Sequence, residues 1–444
     1  MTTTIPRLNG ELMSIERSSA AEIFDSVRAQ VEAGAYAPGS VLPPVRELAA
    51  ALGVNRNTVA VAYKRLVAAG IAHAQGRLGT MIRPPDGPGQ QEGAPVGGTL
   101  VDVASGNPNP AWLPAPRLSV QPARLYGEQT VNVALQAYLR AWFGPDCPGD
   151  FEVDVTHGAV DAMERLLGAC LVAGDGVAVE DPCFLSSINL LRLGGFRAVG
   201  VPVDQEGMQV AGLEAALAGG ARAVIMTPRA HNPTGCNLSR RRATALSRVL
   251  ARYPQVMVIV DDHFALLAEA PFYSVLGRQR ARWALVRSVS QALGPDLRVA
   301  GVASDSATAQ RLRLRLAPGT NWVSHLLQDM VQAALLDDRA RQLIARASKE
   351  YARRRRNLMQ ALLEFGLVGA CGADGLNVWL PVADDSAQAA AMARRGWAVR
   401  AGEGFGVERA IHGLRLTIST LDAAQCHRLA RDLRDCLAGT VAAE

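Results

Sequence analysis

The sequence predicts a multidomain chain. A small N-terminal helix-turn-helix unit, all-α with a β-hairpin wing, should precede a large α/β unit on a mainly parallel sheet that ends in a smaller α+β subdomain. Three observations carry that expectation. Residues 83–100, RPPDGPGQQEGAPVGGTL, are dense in Pro and Gly and nearly free of large apolar side chains, so they can bury little and should divide the chain in two. Ahead of them, two stretches of helical spacing flank a glycine turn. Beyond them, short β-branched runs alternate with helical stretches, the pattern of a parallel sheet covered by helices on both faces. The expected parts are residues 1–83, a flexible linker at 84–100, a large domain at 101–312 and a small subdomain at 313–444.

In the first part, Ile23, Phe24, Val27 and Val31 have helical spacing, and PGSVLPPV then breaks the chain. The run VRELAAALGVNRNTVAVAYKRLVAAG reads as a helix, a turn at Gly53, an Asn55 able to cap the next helix, and a second helix closed by Gly70. Val59, Ala62, Leu66 and Val67 should face inward, leaving Arg56, Asn57 and Thr58 at an exposed N-terminal end suited to base edges and phosphates. IAHAQGRLGTMI then reads as two short strands around Gln75, Gly76 and Arg77.

In the second part the polar residues of interest follow apolar runs, which places them at strand ends, where open α/β sheets bind ligands. RAHNPTG follows VIMTP, DDHF follows VMVIV, and Gln291 follows WALVRSVS. From about Leu314 long helices take over, including the run Arg353 to Arg356, expected as a solvated helix end.

Composition narrows the function classes. With 46 basic and 41 acidic residues the net charge is only +5, so a nucleic-acid surface must be a local cluster of charge. The seven cysteines are scattered and free of any C-x-x-C spacing, which points to a reducing cytoplasm rather than a disulfide frame or a zinc cluster. No apolar run approaches the ~18 residues that a membrane span needs, so no membrane is expected as a partner.

LPPVRELAAALGVNRNTVAVAYKRL and GRLGT resemble the GntR-type winged helix over about residues 20–83. That resemblance implies contacts to double-stranded operator DNA from Arg46, Asn55, Arg56, Asn57, Thr58, Tyr63, Lys64 and Arg77. The large unit resembles a fold-type-I aminotransferase, and the two together resemble the MocR subgroup of GntR regulators. By that resemblance the cofactor is pyridoxal 5'-phosphate, with Asn232 on its phenolic oxygen, Asp261 on its ring nitrogen and Phe184 stacked on the ring. Ser288, Ser290, Arg298 and the helix start at Gly158 and Ala159 would hold the phosphate, and Tyr126 would reach the phosphate of a neighbouring subunit in a head-to-tail homodimer. His263 stands where the family has a tyrosine, and Arg415 matches an arginine that clamps the carboxylate of a substrate or effector.

One position departs from the family in a way that changes the chemistry. Gln291 occupies the place of the lysine that carries the cofactor, and an amide nitrogen is conjugated and not nucleophilic. The chain has only two other candidates, Lys64 and Lys349, neither expected near the site. The resulting expectation is a non-enzymatic regulator that senses a B6 vitamer or an amino compound without covalent attachment. Two alternatives remain open at this stage: an aminotransferase with an accessory DNA-binding domain, and a regulator that senses a different metabolite in a degenerate pocket.

Overall fold

The computed structural model describes residues 2–6, 12–16, 19–37, 39–74, 79–82, 90–93, 98–117, 122, 124–278 and 280–441. It divides into two compact units, Met1–Gly89 and Gln90–Glu444.

Among its described residues the first unit holds three helices, Ala20–Glu32, Val45–Leu52 and Arg56–Ala68, and a hairpin of Ala72–Ala74 with Thr80–Ile82. An antiparallel pair, Thr2–Pro6 with Leu12–Glu16, precedes them and was not foreseen. Local chemistry sets the helix starts. Ser19 and Glu22 form a reciprocal capping box, and the Asn55 side chain accepts from the Asn57 N–H at 2.8 Å, a cap worth about 1 kcal/mol. Gly53, at φ 64°, makes the left-handed turn between the second and third helices. Ile23, Val27, Leu48, Val59, Ala62 and Leu66 close the core with Ala72 and Ile82 of the hairpin. Val67 does not join them. At 37% exposure it lies on the outer side, one position past Leu66 on the helix.

In the second unit, eight strands among the described residues form one sheet. Five run parallel and adjacent, in the order Trp283–Ser288, Met257–Asp261, Ala221–Met226, Gly176–Asp181 and Arg197–Asp204. Ala300–Ser304 pairs antiparallel with Trp283–Ser288 and with Glu152–Thr156. Alternate residues bury on opposite faces: Val258, Val260 and Leu285 enter one core, and Met257, Ile259 and Val286 enter the other. A sheet covered on both faces needs apolar side chains at every position, which is why these strands read as continuous apolar runs.

A second sheet combines Asn377–Pro381, Gly413–Thr417, Trp397–Ala401 and Val101–Val103. The first strand after the linker therefore pairs with the C-terminal subdomain rather than with the large sheet. The arginine run also departs from expectation. On the helix Asp338–Glu364, Arg353 and Arg356 are exposed, but Arg355 is buried against the Gly375 carbonyl and Asp374, and Arg354 lies over the Trp112 ring at 4.4 Å. Four consecutive helical residues sweep the full circumference, so two of them must face the protein.

Candidate ligand site and DNA-binding surface

The strand register gathers the site. Ser288 pairs with Ala300, and Ala300 pairs with Thr156. Arg298, two residues before Ala300, and Gly158, two after Thr156, are thus carried to the same edge as Ser288. Gly158 sits at φ 91° and opens the helix Ala159–Cys170, whose first turn has no side-chain cap. A Cβ at Gly158 would lie 3.8 Å from Arg298 Nη2, so the guanidinium stands directly against the helix N-terminus. Arg298 is exposed, and its side chain has no hydrogen bond or ion pair with any described residue. A free fork of donors beside uncapped amides suits an anion such as phosphate. Ser288 accepts from the Ser290 N–H at 3.2 Å, which folds the turn that leads to Gln291.

At the ends of the neighbouring strands the two aspartates differ. Asp262 is fully buried and receives two bonds from Arg229 (2.7 and 2.9 Å) and one from Arg287 (2.9 Å). Asp261 Oδ1 is buried without any hydrogen-bond partner, as are Gln291 Oε1 and His263 Nδ1. The His263 ring lies within 12° of parallel to Phe184, with centroids 6.5 Å apart, and its Nδ1 is 3.4 Å from Asp261 Oδ2. Burial would lower the His263 pKa, but the Asp261 carboxylate beside it, backed by Asp262, holds it above the ordinary value.

Beneath these groups lies a pair absent from the sequence reading, Glu180 and His231, with Oε2 and Nε2 3.5 Å apart. Burial pushes the Glu180 carboxyl up to about 8 and the His231 imidazole down to about 3. Both shifts favour the neutral forms, which avoids the cost of burying charge. His231 Nδ1 is fixed by Thr234 Oγ1 at 2.7 Å, and Glu180 accepts from the Thr227 N–H at 2.9 Å.

Arg415 and Asn232 sit together. Arg415 is wholly buried and donates to Asn232 Oδ1 (3.0 Å), the Ala104 carbonyl (2.6 Å) and Glu92 Oε1 (2.7 Å). Glu92 comes from the segment expected to be a free connector, and it also accepts from Asn232 Nδ2 at 3.1 Å. No local pattern marked it, since a lone acid among Gly and Pro looks solvated. Tyr126 stands apart, with 92% of its surface exposed and an edge-on contact to Trp322 at 5.6 Å. A separate cleft of about 370 Å³ is lined by Asp154, Arg313 and Trp322. Its buried carboxylate, Asp154, is already paired with Arg313 at 2.7 Å, so it offers a weaker set of free groups.

In the first unit, Arg46, Asn55, Arg56, Asn57 and Lys64 are exposed and Thr58 is half-buried. Arg46, Arg56 and Lys64 have no ion pair with any described residue. Tyr63 requires a correction: it is buried, its hydroxyl donates to the Pro43 carbonyl at 2.8 Å, and it fastens the recognition helix to the preceding loop instead of facing DNA. Burial raises its pKa well above the ordinary value. Arg77 lies outside the described residues.

A winged helix-turn-helix with unpaired basic residues, joined to an aminotransferase-type fold, defines a DNA-binding transcription regulator. Residues 19–82 match the gntR family of bacterial regulatory proteins and residues 96–433 match aminotransferase class I and II, and the chain belongs to the MocR-like GntR regulators that join the two. It is 52% identical over 430 residues, 95% of this chain and 99% of the relative, to the vitamin B6 salvage pathway transcriptional repressor PtsJ of Salmonella typhimurium. It is 26% identical over 356 residues, 71% of this chain and 70% of the relative, to the probable rhizopine catabolism regulatory protein MocR of Rhizobium meliloti. Among solved structures, the α-aminoadipate aminotransferase LysN of Thermus thermophilus superposes with a TM-score of 0.68 at 23% identity, over 78% of this chain and 94% of that one. That likeness establishes the fold. No helix among the described residues is long and apolar enough to cross a membrane.

Proposed function

We propose that the aminotransferase-like unit binds pyridoxal 5'-phosphate or a related vitamer without a covalent bond, and that this ligand governs operator binding by the winged helix. The observation that carries the reading is that buried, unpartnered Asp261 Oδ1 and Gln291 Oε1 follow neighbouring strands of the sheet, at the edge to which the strand register also brings the unpaired Arg298 side chain. Each orphaned buried polar atom costs about 1–3 kcal/mol, and a polar ring with a phosphate would satisfy them together.

In this assignment Asp261 accepts from a protonated ring nitrogen, Phe184 packs on the ring face, and His263 contributes a further polar contact. Arg298, Ser288, Ser290 and the amides from Ala159 onward bind the phosphate. In enzymes of this fold the cofactor supplies an electron sink at the substrate. Here Gln291 offers no amine to carry it and no proton shuttle, so the site acts as a receptor and not as a transaminase. The vitamin B6 role of the 52%-identical relative supports the choice of vitamer. The exposed Tyr126 fits a head-to-tail homodimer in which each site is completed by a neighbour, and the reading implies a cytoplasmic regulator.

Calorimetry on Arg298→Ala tests the pocket. Affinity for pyridoxal 5'-phosphate should fall about tenfold or more, as expected for a lost charge-assisted contact, while unphosphorylated pyridoxal should be much less affected. Equal losses for both compounds would refute the phosphate assignment. Retardation of operator DNA should change when the vitamer is added, and an unchanged shift at saturating vitamer would rule out the sensing role.

A further inference from the structure

The residues that surround Glu92 form a carboxylate receptor. Arg415 Nη1 and Asn232 Nδ2 both donate to the same oxygen, Glu92 Oε1, at 2.7 and 3.1 Å. Arg415 is 0% exposed, and its other hand is held by the Ala104 carbonyl. A buried guanidinium needs a counter-charge, and among the described residues the ion partner it has is Glu92.

The segment that delivers this carboxylate is anchored along its length. Asn189 Nδ2 donates to the Gln90 carbonyl at 2.9 Å, Arg400 Nη2 donates to the carbonyls of Gln91 (3.0 Å) and Gly93 (2.7 Å), and the Gly93 N–H donates to the Ser105 carbonyl at 3.0 Å. The backbone across the subsite is built around the carboxylate. Gly106, at φ 71°, would place a Cβ 3.1 Å from Glu92 Oε2 and 3.2 Å from Arg415 Nη2. The fit is nonetheless incomplete, because Glu92 Oε2 and Arg415 Nε are both buried with no hydrogen-bond partner. A carboxylate bound through one oxygen is displaceable by one bound through two.

We infer that Glu92 is a built-in competitor that occupies the carboxylate subsite of Arg415 and Asn232, so that the pocket selects free vitamers over vitamers joined to an amino acid. This rests on the vitamer reading given above. A ligand carrying its own carboxylate must expel Glu92 and, with it, detach a segment that begins where the DNA-binding unit ends in sequence. Glu92 is thereby a specificity determinant rather than part of a passive connector.

The test compares two probes, pyridoxal 5'-phosphate and N-(5'-phosphopyridoxyl)-L-alanine, by calorimetry on the full-length chain and on Glu92→Ala and Glu92→Gln. The quantity read is the ratio of the two affinities in each protein. Glu92→Ala should shift that ratio toward the alanine conjugate by about tenfold or more, the worth of one hydrogen-bonded charge, and Glu92→Gln should shift it by less. Gln keeps the shape of the segment, so it serves if the alanine variant does not fold. An unchanged ratio in a folded variant, with both probes binding, overturns the inference while leaving the vitamer reading intact. Failure of both probes to bind any of the three proteins overturns the vitamer reading, and the inference falls with it.

Discussion

At the end of the strand Met257–Asp261 stand two aspartates whose side chains the β alternation sends to opposite sides. Asp262 turns to Arg229 and Arg287 and is saturated, so it holds the architecture; removing it would leave the buried Arg229 guanidinium without an ion partner among the described residues and Arg287 with Asp146 alone, and breaking a buried pair in this way typically costs about 3–5 kcal/mol. Asp261 keeps a free oxygen and is the one available to a ligand. Gln291 is the other residue on which function turns. If the pocket retains the geometry of a cofactor site, Gln291→Lys should recover covalent attachment, because burial beside the ring would lower the lysine pKa and free its nucleophilic form. Mass spectrometry after borohydride reduction should find a pyridoxyl adduct at position 291 in the variant and none in the original chain. A folded variant left unmodified by excess cofactor would mean that the pocket serves a different ligand.

Among the elements, the helix Arg56–Ala68 shows how one segment divides its labour. Its N-terminal turn presents Arg56 and Asn57, its inner face buries Val59, Ala62 and Leu66, and Tyr63 is bonded to the loop before Val45–Leu52. The exposed cations, Arg56 and Lys64, are free to meet phosphates. Arg56→Ala should weaken operator binding and reduce the slope of log affinity against log salt by about one if it neutralises one phosphate. Melting of the protein should stay unchanged, since Arg56 has no partner to lose. Retardation curves identical to the parent at several salt concentrations would remove Arg56 from the interface.

For the whole molecule, the assignment of Tyr126 to a neighbour's site has a stoichiometric consequence. Tyr126→Ala and Arg298→Ala chains should each bind phosphorylated vitamers poorly as homodimers. Unfolded together and refolded as mixed dimers, they should regain one intact site per dimer, because one site receives both native residues and the other receives neither. Calorimetry should then give about half the parent's site number in the heterodimer fraction, following from the twofold arrangement in which both copies contribute to both sites. Weak binding throughout that fraction would place Tyr126 and Arg298 in unrelated functions.

Much of this molecule was legible one residue at a time, wherever the physics is local. Asn55 capping its helix, Gly53 turning the chain and the unbroken apolar runs of the parallel strands depend on neighbours a few positions away, so pattern alone determined them. Motif order was similarly informative: HNPTG, DDHF and the turn before Gln291 all fell at strand ends. What the pattern could not carry was pairing between segments that are not neighbours in the chain. The Glu180–His231 contact, the burial of Arg355 and the pairing of Val101–Val103 with Trp397–Ala401 arise only when distant segments meet. Glu92 is the sharpest case. Its surroundings in sequence predict a solvated connector, and only the tertiary structure, by burying Arg415 323 residues away without another counter-ion among the described residues, makes its carboxylate part of the site.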